Sequence, residues 1–366
     1  MYILFLGILI FCFSAIFKKS RTLYVIQLLY LWLVASCNTD NPDYINYYNG
    51  YTHMYNYQGT ISEPLYWAVA RFAESIGCDY QGFRFILYGI GFAILGYAIW
   101  KLSIHPNCIL SFYFVYPFVM DVIQVRTLLS NALILVAIYE LINFNETRAK
   151  RYLGYSIIFI IIACGFHFSA VSAVIIYLSL IKKETIISQT PKLAVLALAG
   201  LIVMFLYRNR IINKMISLGI IGKAGDYTSS GIRLGGYIIC VFAFRIVFAV
   251  LCILVMRAVR NNDINSPNRR AMDILLRCVL LYSLFGFGEI VVSMELERMS
   301  RVALVCGLSL ISRASIDIEV KNYNLFTRLT ALYYGLYFYL MMFIHYAPTS
   351  NWFEFTFMAI YQNQLI

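Results

Sequence analysis

The sequence predicts an all-α, polytopic integral membrane protein that forms one domain over residues 1–366, with about 12 transmembrane helices. Hydrophobic residues make up 61% of the 366 residues and charged residues only 13%, against about a quarter in typical soluble domains. The mean hydropathy is +0.74. The apolar residues also fall into runs separated by short charged segments, as in successive membrane spans. These observations exclude an ordinary soluble domain and a disordered chain.

Each apolar run that approaches the length of a bilayer crossing is interpreted as a span. The predicted spans are 1–17, 23–37, 83–100, 108–120, 128–141, 152–164, 168–181, 193–207, 237–256, 274–292, 302–311 and 325–343. Pro117 interrupts the fourth run, and Gly165 and His167 end the sixth, so we expect these two helices to be broken or tilted. The first run is followed by Lys18 and Lys19 but not preceded by a basic residue, which predicts a retained helix rather than a signal peptide.

The Lys and Arg residues set the predicted orientation. The turn that contains Lys18, Lys19 and Arg21 is assigned to the cytoplasm, and the loops alternate from there, so that both termini lie outside. Most of the basic residues then fall on the inner side. The net charge of +11 is therefore explained by membrane orientation and contact with anionic lipid, and no nucleic acid is expected as a partner.

Motifs for metal binding and nucleotide hydrolysis are absent from the sequence. The nine cysteines include no C-x-x-C pair. Neither H-E-x-x-H nor G-x-x-x-x-G-K-[ST] occurs. We therefore expect no metal and no cofactor.

The longest predicted outer loop, residues 38–82, is rich in both aromatic and polar residues. Tyrosines alternate there with Asn and Asp, and flat apolar rings beside directional hydrogen-bond groups suit the recognition of sugars. An interfacial aromatic belt is the alternative interpretation for any single tyrosine. The predicted sugar-binding residues are Asp43, Tyr47, Tyr48, Tyr51, Tyr66 and Trp67.

An amphipathic helix is predicted inside this loop, beginning at Glu63-Pro64 and running through Ile76 on the outer surface. Pro lies just inside its start, and the apolar residues that repeat at helical spacing are Leu65, Val69, Phe72 and Ala73. Glu63 either complements the positive end of the helix dipole or faces a cavity as a proton acceptor.

A second outer loop, residues 208–236, is unusually basic for its predicted side of the membrane. An excess of positive charge on the outer side requires an anion, and Arg binds phosphate through a planar, bidentate fork. The alternative is that this loop lies in the cytoplasm. The predicted phosphate-binding residues at the outer side are Arg126, Arg208, Arg210, Arg233, Arg298 and Arg301.

Three further residues stand out because of their position in the predicted helices. His167 lies at an abrupt outer junction between two spans, where it either transfers a proton or is simply satisfied by its neighbours. Asp121, five residues before Arg126 in the sequence, is a further carboxylate at the predicted outer side of the membrane. Arg245 lies within a span and must face the protein interior.

The whole arrangement resembles the EpsG-like and Wzy-type polymerases of bacterial surface polysaccharides, which include O-antigen polymerases. The features that carry the resemblance are Asp43-x-x-x-Tyr47, Glu63-Pro64, Arg126 early in a helix, Phe166-His167-Phe168-Ser169-Ala170 and Glu297-Arg298. The segment Asn351-Trp352-Phe353-Glu354 lacks the Trp-x-Pro-Tyr ending of some relatives.

The resemblance implies a multi-pass enzyme of the bacterial inner membrane with its active site facing the periplasm. It would transfer a growing glycan from undecaprenyl pyrophosphate onto a newly flipped, lipid-linked repeat unit. Donor, acceptor and membrane lipids are the implied partners, and whether a chain-length regulator joins them stays open. The alternatives from other classes are a flippase or transporter of lipid-linked oligosaccharide and a non-catalytic assembly protein.

The implied reaction needs a base for the attacking hydroxyl and positive charge where the pyrophosphate leaves. Glu63 is slightly favoured as the base, because a carboxylate also keeps its negative charge beside an oxocarbenium-like carbon, by analogy with glycosidases. His167 and Asp121 are the alternatives.

Overall fold

The structure is a computed structural model that describes residues 2–39, 41, 43–53, 63–181, 210, 236–259, 267–292, 298, 301–344 and 357–362. These residues form helices and short connections, without a β-strand among them. The all-helical prediction is therefore confirmed for the part of the chain that is described. The predicted span 193–207 and most of the basic loop 208–236 lie outside it.

The α-helices are α1 (Tyr2–Ile16), α2 (Arg21–Cys37), α3 (Tyr44–Thr52), α4 (Pro64–Ser75), α5 (Tyr80–Leu102), α6 (Pro106–Val115), α7 (Phe118–Ile123), α8 (Val125–Thr147), α9 (Lys150–Phe166), α10 (Gly236–Ala258), α11 (Pro267–Val292), α12 (Arg301–Ala314), α13 (Val320–Tyr339) and α14 (Ala359–Gln362). A 3₁₀ segment covers Phe168–Leu180, and a π-helical turn covers Leu340–Ile344.

The described residues contain fewer helices of full membrane-span length than the 12 predicted for the whole chain. Within the described residues, three are long and apolar enough to cross a bilayer: Tyr80–Leu102, Val125–Thr147 and Cys240–Ala258. Four other apolar segments are shorter, among them Tyr2–Ile16. A helix of 15 residues is about 22 Å long, less than the roughly 30 Å hydrocarbon core. The prediction of 12 spans is therefore not confirmed by the described residues, among which several apolar runs form helices shorter than a crossing.

The outer surface of the helices nevertheless has the character of a membrane protein. Large apolar side chains project from α1, α5, α9 and α10, with Phe13, Ile86, Ile161 and Val247 between 51% and 64% exposed. So many exposed large apolar side chains on successive helices are unusual in a soluble monomer. We conclude that these helices are embedded in a membrane.

Both predicted helix interruptions occur. α6 ends at Val115 and α7 begins at Phe118, with Pro117 between them. α9 ends at Phe166, and the chain continues as the 3₁₀ segment after His167. Each interruption lies at the same end of the bundle as the start of α8, which directly follows α7.

Helix α8 forms the centre of the bundle. It packs against α5, α9 and α11, and 89% of its most apolar stretch is buried. Ser130 Oγ ties α8 to α9 by donating to the carbonyl oxygen of Ala163 at 2.9 Å. The first residues of α8 are therefore held in a fixed position by the surrounding helices.

The two ends of the bundle differ in charge. At one end, Arg313 Nε donates to the carbonyl oxygen of Leu102 at 2.7 Å and Arg313 Nη1 donates to Asn268 Oδ1 at 3.2 Å, which joins the ends of α12 and α5 to the start of α11. Lys101 and Lys150 belong to this basic end. The start of α8 and the end of α9 lie at the opposite end.

Candidate functional site

Glu63 directly precedes α4, the predicted amphipathic helix, whose start at Pro64 is confirmed. Glu63 occupies the N-cap position, but its side chain makes no capping hydrogen bond to the helix. The buried side of α4 is formed by Tyr66, Ala70 and Ala73, whereas Phe72 is 65% exposed. The predicted apolar stripe is therefore only partly correct, because Tyr66 and Ala70 take the inner positions.

The Glu63 carboxylate points into the bundle and meets Arg126, the second residue of α8. Arg126 Nη1 donates to Glu63 Oε2 in an ion pair. The Glu63 side chain is only 7% exposed, against 24% for Arg126. Burial of a carboxylate is costly unless a cation compensates it, and Arg126 supplies that cation.

The second carboxylate oxygen of Glu63 meets His167. His167 Nδ1 lies 2.7 Å from Glu63 Oε1. Close packing of α4 on the end of α9 makes this possible, because a Cβ atom at Gly165 would lie 2.9 Å from Leu65 Cβ. A side chain at position 165 would push the two helices apart.

Two tyrosines enclose the Arg126 guanidinium. Arg126 Nε and Nη2 donate to Tyr47 Oη at 3.1 and 3.0 Å. The guanidinium carbon lies 4.7 Å from the Tyr47 ring centroid and 5.4 Å from that of Tyr66, within the range of cation–π attraction. Together with Glu63 and His167, these residues form what we call the central cluster: Tyr47, Glu63, Tyr66, Arg126 and His167.

The other predicted sugar-binding residues surround the central cluster at different depths. Tyr48 is 40% exposed, whereas Tyr51 is buried and donates to the carbonyl oxygen of Cys78 at 2.6 Å. Burial and the neighbouring Cys78 raise the pKa of Tyr51 to about 12. Trp67 packs edge-on against Tyr66, with ring centroids 5.2 Å apart.

Asp43 lies at the start of α3, where its backbone carbonyl accepts a hydrogen bond from the Tyr47 backbone N–H at 3.1 Å. Its position therefore helps to orient the first turn of α3, which carries Tyr47 towards Arg126.

Asp121 and Arg301 form a second ion pair, deeper in the bundle. Arg301 Nη1 donates to Asp121 Oδ1 at 3.1 Å, and Tyr113 Oη donates to Asp121 Oδ2 at 2.5 Å. Arg301 Nη2 also donates to Gln124 Oε1 at 3.0 Å. Arg301 and Tyr113 thus hold Asp121, whereas Arg126 and His167 hold Glu63, and Arg301 lies beside the start of α8.

The remaining predicted phosphate-binding residues are only partly described. The Arg298 carbonyl oxygen accepts a hydrogen bond from Asn131 Nδ2 at 3.2 Å, which places this residue against α8. Arg210 is exposed. Arg208, Arg233 and Glu297 lie outside the described residues.

Several residues of this region were not singled out by the sequence. Tyr113 and Gln124 belong to the network around Asp121 and carry no local motif. Arg84 is 3% exposed and donates to the carbonyl oxygen of Ala35 at 3.1 Å. An arginine near the start of a predicted span is itself a signal for a buried polar network, and this signal could have identified Arg84.

The central cluster can do proton-transfer chemistry. A carboxylate hydrogen-bonded to Nδ1 fixes the imidazole tautomer with its proton on Nδ1, which leaves the lone pair on Nε2. His167 is 18% exposed, against 7% for Glu63. The imidazole is therefore more open to an incoming substrate than the carboxylate.

Comparison with known proteins identifies a family. The EpsG family model matches residues 21–357, which is nearly the whole chain. No curated protein and no solved structure matches the chain.

Proposed function

This chain belongs to the EpsG family, and from that membership we propose that it polymerises undecaprenyl-pyrophosphate-linked oligosaccharide repeat units into O-antigen or a similar surface polysaccharide. The family is related to the Wzy-like polysaccharide polymerases. In the proposed reaction, the enzyme acts as a glycosyltransferase. The growing glycan leaves its lipid pyrophosphate and is joined to the non-reducing end of an acceptor repeat unit.

The observation that carries the proposal is the hydrogen bond between His167 Nδ1 and Glu63 Oε1. Glu63 holds the imidazole in one tautomer and stabilises the imidazolium that forms when Nε2 takes a proton. Arg126 holds Glu63 from the other side and favours its ionised form. We therefore assign the proton to His167 and an orienting role to Glu63, which reverses the slight preference drawn from the sequence.

The proposed chemical step moves one proton and exchanges one bond at the anomeric carbon of the donor. His167 Nε2 takes the proton of the acceptor hydroxyl while the hydroxyl oxygen forms a bond to the anomeric carbon of the donor. The bond between that carbon and the pyrophosphate oxygen breaks, and its electron pair leaves with the pyrophosphate. Positive charge near the leaving oxygen stabilises the transition state. Arg210, Arg298 and Arg301 are the described residues proposed for this role, together with Arg208 and Arg233, which lie outside the described residues.

Sugar rings are proposed to stack on the aromatic side chains around the central cluster. Tyr48 is exposed and Tyr47 and Trp67 are half-buried, so their rings can contact a ligand. Tyr51 and Tyr66 are buried and act by shaping the surface. Asp43 is proposed as a hydrogen-bond acceptor for sugar hydroxyls at the edge of the site.

The central cluster is proposed to face the periplasm in the inner membrane. It lies at the end of the bundle opposite the basic end formed by Lys101, Lys150 and Arg313. Basic residues are enriched on the cytoplasmic side of membrane proteins, and this supports the assignment.

The proposal can be tested by deleting the gene in its host and analysing the surface polysaccharide on gels. We expect single repeat units in place of the polymer ladder, and recovery of the ladder when the wild-type gene is returned. Loss of all repeat units would instead indicate a flippase. An unchanged ladder would contradict both enzymatic and transport roles.

A further inference from the structure

Arg84, near the start of α5, is a buried arginine to which the proposed reaction assigns no role. Its exposed fraction is 3%, and within the described part of the chain no carboxylate forms an ion pair with it. Removing a guanidinium from water is costly unless other groups compensate its charge. The groups that compensate Arg84 belong to α2, α3 and α5 or directly follow one of them.

Carbonyl oxygens at the end of α2 accept two of its hydrogen bonds. Arg84 Nη1 donates to the carbonyl oxygen of Asn38, the residue that follows α2, and Nη2 donates to that of Ala35 at 3.1 Å. The last carbonyl groups of a helix carry partial negative charge and lack partners within the helix. Arg84 therefore ties the end of α2 to the start of α5.

Three tyrosine rings surround the Arg84 guanidinium. Its carbon atom lies 5.0 Å from the ring centroid of Tyr44 and 5.4 Å from that of Tyr88, both within the range of cation–π attraction. Tyr80 adds a third ring at 5.9 Å. Because Tyr44 belongs to α3 and the other two tyrosines to α5, Arg84 also joins these two helices.

The contact with Tyr44 fixes the first turn of α3. This helix has only nine residues, and a helix of that length is marginal in isolation, so its position depends on the contacts that its tyrosines make. Tyr44 packs on Arg84 and, edge-on, on Tyr80, with ring centroids 5.4 Å apart. Tyr47 lies three positions after Tyr44 and therefore on the same side of α3. The docked first turn thus carries the Tyr47 hydroxyl to Arg126.

The contact with Tyr88 leads to Arg126, the other partner of that hydrogen bond. Tyr88 is 1% exposed, and its Oη donates to the carbonyl oxygen of Val122 at 2.5 Å. Val122 lies in α7, just before α8, and Arg126 follows it by four positions. Tyr88 therefore holds the segment that leads into the first turn of α8.

We propose that Arg84 is a positioning residue that sets the distance between the Tyr47 hydroxyl and the Arg126 guanidinium. It contacts one tyrosine that supports Tyr47 and a second that supports the segment before Arg126. A shift at either contact would lengthen the hydrogen bonds from Arg126 to Tyr47, which hold the guanidinium beside Glu63. The consequence for catalysis rests on the proposed function, whereas the geometry does not.

The test observes Tyr47 directly, by fluorine NMR of the full-length protein in nanodiscs with 3-fluorotyrosine at position 47. The shift of this resonance reports the hydrogen bonds of the hydroxyl. Arg126→Lys loses the paired contacts to Tyr47 and supplies the reference for a detached hydroxyl. We expect Arg84→Gln and Arg84→Lys to move the resonance towards that reference by about half of the difference or more. Arg71→Gln is the matched control, since Arg71 is exposed on α4, and should leave the resonance in place.

Thermal unfolding of the same preparations separates positioning from stability. If Arg84 only compensates the end of α2, its variants unfold at a lower temperature while the Tyr47 resonance stays in place, and this result would overturn the proposal. If Arg84→Gln does not fold, Tyr44→Leu breaks the same contact without removing the buried charge, and it should move the resonance in the same direction. A wild-type resonance in both Tyr44→Leu and Arg84→Lys would equally contradict the proposal.

A double-mutant cycle tests the same link in the reaction. Arg84→Gln should lower the polymerisation rate per folded protein by about tenfold, because misplacement of the catalytic groups slows the reaction. In a Tyr47→Phe background the same substitution should cost less than about twofold, since Arg84 acts through the Tyr47 hydroxyl. A full tenfold loss in both backgrounds would refute this link. If the protein does not polymerise at all, the fluorine measurement still decides the role of Arg84, so this proposal and the proposed function fail separately.

Discussion

His167 Nδ1 lies 2.7 Å from Glu63 Oε1, which joins the end of α9 to the residue that precedes α4 across 104 positions of the chain. The interaction places the more exposed imidazole in front of the more buried carboxylate. Residues that act as such a unit lose their effect together, because either one without the other is poorly oriented.

The first prediction concerns this pair. Glu63→Gln and His167→Gln should each lower the polymerisation rate by about 10²- to 10⁴-fold, and the double variant should be little worse than the more damaged single variant. The rate is measured as ladder formation from lipid-linked repeat units in isolated membranes, at equal protein abundance. His53→Gln is the matched control, since His53 is exposed at the end of α3. A nearly active His167→Gln beside an inactive Glu63→Gln would make Glu63 the direct base.

The second prediction concerns Arg126. Arg126→Lys should keep partial activity, because the charge beside Glu63 remains while the paired contacts to Tyr47 are lost. Arg126→Ala should be nearly inactive and less stable, since it leaves the buried Glu63 carboxylate without its cation. Activity and thermal unfolding are measured on the same preparations, with exposed Arg71→Ala as the control. Wild-type polymer lengths in both variants would show that the guanidinium is dispensable.

The third prediction separates a buried from an exposed ion pair. Asp121→Asn should lower the free energy of unfolding by about 3–5 kcal/mol, because Arg301 would keep a buried charge without its carboxylate. Asp273→Asn breaks the pair with Arg277 at a side chain that is 42% exposed and should cost about 1 kcal/mol or less. Denaturant unfolding of the purified protein measures both. Equal losses would mean that the Asp121 pair contributes no more than a surface contact.

The fourth prediction concerns the side of the membrane on which residues 208–236 lie. Single cysteines at Ser229 and Ser230, in a background without the nine native cysteines, should react with an impermeant thiol reagent in intact spheroplasts. Ile316→Cys, an exposed position close to Arg313 at the basic end, should react only after lysis. The reverse pattern would place the central cluster in the cytoplasm.

The fifth prediction concerns His105, which lies between α5 and α6. Burial, with the nearby Lys18 and Lys19, lowers its pKa from 6.5 to about 4. Between these values the unfolded chain binds a proton that the folded chain does not, so stability falls as the pH drops from 6.5 towards 4. His105→Gln should reduce this slope, as measured by thermal unfolding across the pH range. An unchanged slope would show that other groups determine the acid sensitivity.

The sequence predicted those parts of the fold that depend on local chemistry. The helix interruptions at Pro117 and at Gly165–His167 were predicted from local residue type, and Pro64 favours the first turn of a helix. Local residue chemistry could not predict how many helices are long enough to cross the membrane. Runs such as 1–17 have the right hydropathy, but the length of the helix that forms depends on how the ends pack and where the chain turns.

The sequence likewise predicted only part of the candidate site. Glu63, Arg126 and His167 were each identified by residue type and position, but nothing in the sequence pairs Arg126 with Glu63 rather than with Asp121. That choice depends on the register between α4 and α8, which long-range packing sets. Tyr113 was missed because a tyrosine inside an apolar run cannot be told from any other core aromatic in the sequence.

The central position of α8 has a consequence for how this protein can diversify. Arg126 stands on a helix that cannot rotate or tilt without repacking the whole bundle, whereas α3 and α4, which carry Tyr47 and Tyr66, are short and lie at its margin. Two of the five central-cluster residues, Arg126 and His167, thus belong to the bundle helices or their ends, whereas Tyr47, Glu63 and Tyr66 belong to α3, to α4 or to the position directly before α4. If the chain acts as the proposed polymerase, exchange of α3 and α4 between relatives with Glu63 kept should therefore alter the accepted sugar, while Glu63, Arg126 and His167 remain in place.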